Sequence, residues 1–151
     1  MEWSDGFNKV KIKVAKKLII DLFIKHKLSK NHSKICAEAL INAELVGAPS
    51  HGFGRISSYC NRIRKKVINP KPNIKIKKIS PSIASIDADN AIGFIGANLA
   101  INLAIKNAKK TGIGLVSVKN SGHYGLSGYY ANKAARKGLI AFCFTNAPPA
   151  I

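Results

Sequence analysis

The sequence predicts an α/β protein in two parts: a helical N-terminal region over residues 1–68 and an α/β region over 74–151, joined by a linker at 69–73. Three observations carry this reading. Before residue 68, apolar side chains recur at three- and four-residue spacing, the period of helices with one buried face. Asn69-Pro70-Lys71-Pro72-Asn73 sets two prolines where they favour an extended segment. Beyond it, apolar runs of strand length alternate with longer helical patterns.

Each element follows from local chemistry. Residues 8–26 read as an amphipathic helix, with Ala15, Leu18, Ile19, Leu22 and Phe23 inward and lysines opposite. Lys27-Leu28-Ser29 turns the chain, and Ser29 is placed to cap a second helix. That helix runs to about residue 46 with Cys36, Ala39, Leu40 and Ala43 on one face, and Gly47 stops it. Ala48-Pro49-Ser50-His51-Gly52 cannot continue it. A third helix starts near Phe53, turning Ile56, Tyr59, Cys60 and Ile63 inward and leaving Arg55, Arg62, Arg64, Lys65 and Lys66 mostly outside.

After the linker, residues 74–77 alternate as an edge strand does, and 83–87 form a second strand. Asp87-Ala88-Asp89-Asn90 is expected to turn the chain, with Asp87 and Asp89 capping the next helix and no metal implied. Ala97, Ala100, Ile101, Ala104, Ile105 and Ala108 hold helical spacing until Thr111-Gly112. A buried strand over 114–118 breaks at Lys119-Asn120-Ser121-Gly122, just before His123. A helix over 125–137 stops at Gly138, and 139–144 reads as a last strand. Such a sheet has about four strands and no later element to cover it, so its faces and edges stay open. The chain reads as the front part of something longer.

Composition narrows the function classes. The net charge of +18 comes from 25 Lys+Arg against 7 Asp+Glu. A basic nucleic-acid-binding module is one reading of it. Yet there are only four arginines, Arg55, Arg62, Arg64 and Arg136, and the lysines are scattered through every segment. Base readout and bidentate phosphate contacts favour arginine, so a basic surface with no specific nucleic-acid partner is the preferred reading. No apolar run approaches the ~20 residues of a membrane span. The acidic, polar start, MEWSDGFNK, does not resemble an export signal, which points to the cytoplasm. Cys36, Cys60 and Cys143 are odd in number and widely separated in apolar surroundings, as reduced core thiols are.

Standard motifs are missing. There is no GxxxxGK[ST], and Gly112-Ile113-Gly114 fails the dinucleotide fingerprint because Ser117 holds its last position and the glycines precede the strand. HExxH, CxxC and GxSxG are absent as well. Two clusters remain. In Ser50-His51-Gly52-Phe53-Gly54-Arg55, an imidazole able to exchange a proton near neutral pH precedes a helix, and a guanidinium able to clamp a carboxylate lies about one turn inside it. The alternative is a capping histidine beside a solvated arginine. In Asn120-Ser121-Gly122-His123-Tyr124-Gly125, a histidine sits among glycines at a strand-to-helix junction; the alternative is a polar loop. His26 and His32 read as surface residues.

Taken in order, these pieces resemble a known family. Ser50-His51-Gly52-Phe53-Gly54-Arg55 with Tyr59 and Arg62, Ile68-Asn69-Pro70-Lys71-Pro72, Asp87-Ala88-Asp89-Asn90 with Gly93, Gly112-Ile113-Gly114, Asn120 through Gly125, Gly128-Tyr129-Tyr130 and Thr145-Asn146-Ala147-Pro148-Pro149 are similar to the N-terminal part of the malate/L-lactate dehydrogenase family. That family includes ureidoglycolate and sulfolactate dehydrogenases and 2,3-diketogulonate reductase. The resemblance implies the first part of a non-Rossmann, mixed-sheet NAD(P)-binding domain. It implies hydride transfer between NAD or NADP and a 2-hydroxy or 2-oxo acid, in a homodimer. His51 would exchange the substrate proton with Ser50 supporting it, and Arg55 would hold the carboxylate. His123 would line the same pocket beside the nicotinamide as a second acid/base candidate. Asn120, Gly122, Thr145 and Asn146 would lie near the cofactor. Family members are longer, and an aspartate expected to support the acid/base group would fall after Ile151. The chain is therefore expected to be truncated and inactive alone.

Overall fold

The computed structural model describes residues 10–146. Expectations that fall on residues 1–9 and 147–151, including the start of the first helix and the closing Ala147-Pro148-Pro149, lie outside them. The order is α1 (Ile12–Lys25), α2 (Lys30–Leu45), two short 3-10 turns (Pro49–His51 and Phe53–Arg55), α3 (Ile56–Arg64), β1 (Lys75–Lys78), β2 (Ile83–Ala91), α4 (Gly93–Thr111), β3 (Leu115–Ser121) and α5 (Ser127–Ala135).

The helices begin and stop where the local chemistry demands. Ser29 is extended and its side chain accepts the His32 N–H at 3.1 Å, satisfying one of the amides that a helix start leaves unpaired. Gly47 follows α2 at φ +74°, and Gly112 follows α4 at φ +81°, both in the left-handed region that glycine enters without cost. In α1 the buried stripe is Ala15, Ile19 and Phe23. Leu18, expected inside, is 62% exposed: α1 packs chiefly on α2, which covers only a narrow stripe. His32, expected at the surface, is half-buried within α2.

The sheet is mixed, in the order β1-β2-β3. β1 runs antiparallel to β2, and β3 runs parallel to it, with α4 as the crossover packed on both. β2 alternates cleanly, burying Ala84, Ile86 and Ala88. It continues past the expected turn: Asp87-Ala88-Asp89-Asn90 lies inside the strand. Asp89 and Asn90 take φ +49° and +56°, and the register shifts between Asp87 and Ala91, which makes a bulge.

Asp87 and Asp89 therefore do not cap α4, whose N-cap position is Ile92 with no side-chain bond. Asp87 accepts from the Asn120 amide at 3.0 Å and pairs with Lys119 at 3.4 Å, a lattice that holds its carboxyl below the usual range, chiefly through the Asn120 bond. Asp89 accepts from the Asn69 amide and the Asn73 N–H, each at 2.9 Å, and so ties the linker to the bulge. Among the described residues, no three His, Cys, Asp or Glu side chains group to hold a metal ion. The three cysteines are free, with Cys36 and Cys60 buried and Cys143 half-buried.

Segment 139–144, expected as a fourth strand, has no ladder partner among the described residues and is not one. Leu139, Ala141 and Cys143 pack against a cluster around Ile101, Tyr130 and Ala134, while Ile140, Phe142 and Phe144 are 91%, 78% and 88% exposed. Burial alternates along the segment, but a strand also needs a neighbour to take its amides and carbonyls. The main core runs across the linker, joining Ile19 and Phe23 of α1, Leu40 of α2 and Tyr59 of α3 to Ile92 and Phe94. No helix among the described residues is long and apolar enough to cross a membrane.

Candidate active site

Packing across the linker brings the two motif clusters together. The third helical segment begins as 3-10 turns, because Pro49 and Gly52 interrupt the α-helical bonding. Glu44, from the last turn of α2, supports the break: its carboxylate accepts the Phe53 N–H at 2.5 Å. A Cβ at Gly52 would overlap that carboxylate, so glycine is required there for space. His51 and Arg55 are held on either side of this junction.

The Ser50 hydroxyl lies 3.0 Å from His51 Nδ1, which leaves Nε2 free. Arg55 donates from Nε to the Ser50 carbonyl at 2.8 Å, so the outer edge of its guanidinium keeps four unengaged donors. His51 caps nothing: neither 3-10 turn nor α3 has a side-chain cap. The capping alternative is set aside by that geometry.

His123 arrives from the other side. Its ring centroid is 5.5 Å from that of His51, and its Nδ1 is 2.7 Å from the Tyr59 hydroxyl, 64 residues away in sequence. Tyr59 is only 3% exposed and meets Phe94 edge-on at 5.2 Å. The 122–123 turn is pressed against the start of α4, where a Cβ at Gly93 would overlap the carbonyl oxygens of Gly122 and His123. Gly93→Ala is expected to cost roughly 1–3 kcal/mol, because backbone cannot yield as a side-chain tip does. Urea denaturation measures it, and an unchanged midpoint would mean that the turn is not packed there.

Ser50, His51, Arg55 and His123 thus form one group, joined by Tyr59, which the sequence placed in the core and in the family motif but without a role in the site. Its signal was position: it lies one turn after Arg55 on the helix that follows the histidine. Glu44 had no signal. Asn120 is engaged elsewhere, at φ +51° with its amide on Asp87. Gly122 offers bare backbone beside His123, where a Cβ would meet only the Ala91 carbonyl oxygen, at 4.0 Å. Thr145 and Asn146 are exposed, and the Thr145 hydroxyl bonds to the Asn146 carbonyl.

Electrostatics separate the histidines of the chain. Burial holds His123 below the usual imidazole value, and the positive charges of Arg55, His51 and Arg62 add to the effect. Burial also lowers His32. Both therefore bind protons more readily in the unfolded chain than in the folded one. Stability is complete above the unfolded value of 6.5 and falls as pH drops through it toward the folded values. Denaturant midpoints at pH 8, 6.5 and 5 are expected to decline in that order, and His123→Gln should flatten the decline.

Comparison with known proteins bears on this arrangement. The profile of the family described as malate/L-lactate dehydrogenase matches residues 10–151. The L-sulfolactate dehydrogenase of Methanocaldococcus jannaschii is 42% identical over 136 residues, covering 90% of this chain and 40% of that protein. A malate dehydrogenase of Pyrococcus abyssi is 45% identical over 119 residues, covering 79% of this chain and 33% of that protein. The solved structure of malate dehydrogenase from Pyrococcus horikoshii superposes with a TM-score of 0.84 at 35% identity, over 91% of this chain and 41% of that one. The chain spans about 40% of the length of the longer-matching relatives.

Proposed function

Because the chain belongs to the malate/L-lactate dehydrogenase family, we propose that it supplies the acid/base and carboxylate-binding half of a nicotinamide-dependent 2-hydroxy acid oxidoreductase. The observation that carries this is the junction itself: a serine-backed histidine and an arginine with a free guanidinium edge, facing a second histidine at 5.5 Å.

Each side chain has work that suits its chemistry. Arg55 binds the substrate carboxylate through its unengaged donors, which turns C2 of the acid toward the histidines. His51 takes the C2 hydroxyl proton in oxidation and returns it to the carbonyl oxygen in reduction. Ser50 holds the His51 ring in place. His123 closes the pocket beside the reacting oxygen.

NAD or NADP, when bound, supplies the hydride acceptor or donor. The bare backbone at Gly122 fits such a group, and Asn120, His123, Thr145 and Asn146 are the other residues proposed to lie along it. Asn120 would contribute indirectly, since its amide is committed to Asp87. The same reading makes the working form a homodimer of the cytoplasm, with no specific nucleic-acid partner.

The experiment is an NMR titration of the chain with NADH, NADPH, malate and lactate, paired with a turnover assay on a panel of 2-hydroxy acids. Saturable shifts of the His51 and His123 ring signals, abolished for the acids by Arg55→Ala, are the expected result. Acids that leave both rings unmoved, with no cofactor-linked turnover, would sink the proposal.

A further inference from the structure

Two histidine rings lie 5.5 Å apart, and the groups behind them differ in a way that assigns them different work. We propose that Tyr59 is a positioning residue that locks His123 as the Nε2–H tautomer, making His123 a fixed hydrogen-bond donor and leaving His51 as the group that exchanges the proton. The assignment of roles rests on the reading of the site above; the tautomer itself does not.

Donors and acceptors at the Tyr59–His123 contact decide between the tautomers. The Tyr59 hydroxyl is buried, and His123 Nδ1, at 2.7 Å, is its one hydrogen-bond partner among the described residues. If Nδ1 carried the proton and donated to the phenol oxygen, the phenolic proton would need a second acceptor, and none of the described residues provides one. Leaving a buried donor unpaired costs more than a typical hydrogen bond returns. With the phenol donating to Nδ1, both atoms are satisfied and the imidazole proton sits on Nε2. The surroundings agree. Burial raises the phenol well above its usual value, so it keeps its proton, while partial burial and the nearby positive charges disfavour the His123 cation.

Ser50 behind His51 imposes no such choice. Its hydroxyl is exposed and free to rotate, so it donates to Nδ1 of the neutral ring or accepts from Nδ1–H of the cation. His51 can therefore pass between charge states with its partner intact. His123 can become a cation only by reversing the Tyr59 bond, which leaves the phenolic proton without an acceptor among the described residues. A neutral Nε2–H beside the reacting oxygen polarises a carbonyl or steadies an alkoxide without itself giving up the proton.

The test is nitrogen-detected NMR of the histidines in the whole chain, with His123 assigned from the His123→Gln spectrum. The expected result is a neutral His123 ring protonated at Nε2, titrating below the usual imidazole value. In Tyr59→Phe the tautomer ratio should move by roughly 3- to 10-fold toward Nδ1–H, the size of one buried neutral hydrogen bond, and the titration should move up. Protonation at Nδ1 in the unmodified chain overturns the proposal, and so does a Tyr59→Phe spectrum in which ratio and titration are unchanged. Should Tyr59→Phe fail to fold, the tautomer of the unmodified chain still decides. No turnover is needed, so this result and the failure of the dehydrogenase reading can be told apart.

Discussion

His51→Asn is expected to lower kcat by ~10²–10⁴-fold in a cofactor-linked assay of any form of the protein that turns over, the usual loss when a positioned acid/base group is removed. Asparagine keeps a polar side chain near Ser50 and takes away the exchangeable imidazole. The carboxylate clamp at Arg55 is untouched, so KM should change far less than kcat. Thermal melts should also be unaffected, because His51 is half-buried at a surface junction and packs in no core. Steady-state kinetics beside a melting curve checks both halves. A variant within a few-fold of the parent kcat would move the proton-exchange role to another group.

Phe94→Ala is expected to destabilise the fold by ~3–5 kcal/mol, the range for removing a large aromatic from a packed core. Phe94 is fully buried at the start of α4, with the Tyr59 ring edge-on to it. Gly125, at φ +81°, lies so close above its ring that a Cβ there would overlap it. Deleting the ring removes the floor beneath both α3 and the 122–125 turn. The urea midpoint should fall strongly, and His123 should lose its distinct titration with it. A loss under 1 kcal/mol would show that the two clusters are held together by something else.

Much of the architecture was legible before any coordinates. Helix positions followed from apolar spacing, and helix ends from Ser29, Gly47, Gly112 and Gly138, because caps and left-handed stops depend on a residue and its immediate neighbours. Ser50, His51, Arg55 and His123 were marked by residue type and by placement at element junctions. The misreadings share one physical origin. Asp87 and Asp89 look like caps from their distance to the next helix, but their carboxylates bond Asn120, Asn69 and Asn73, which only folding brings near. Leu18 sits on the helical stripe, yet α1 packs chiefly on α2, which leaves that side chain uncovered. Segment 139–144 alternates as a strand should and lacks a partner among the described residues.

By itself, then, the sequence determined the α/β class, several helix ends, the family and most of the residues that gather at the junction, since each depends on short-range patterns or on ordered motifs. Only the tertiary structure decided how those residues are used. It set His123 5.5 Å from His51, put the Tyr59 hydroxyl on His123 Nδ1 and slid Glu44 beneath Gly52. Such choices are made by packing between segments far apart in the chain. Hydrogen-bond partners, protonation states and exposure belong to the space between elements, which no local pattern encodes.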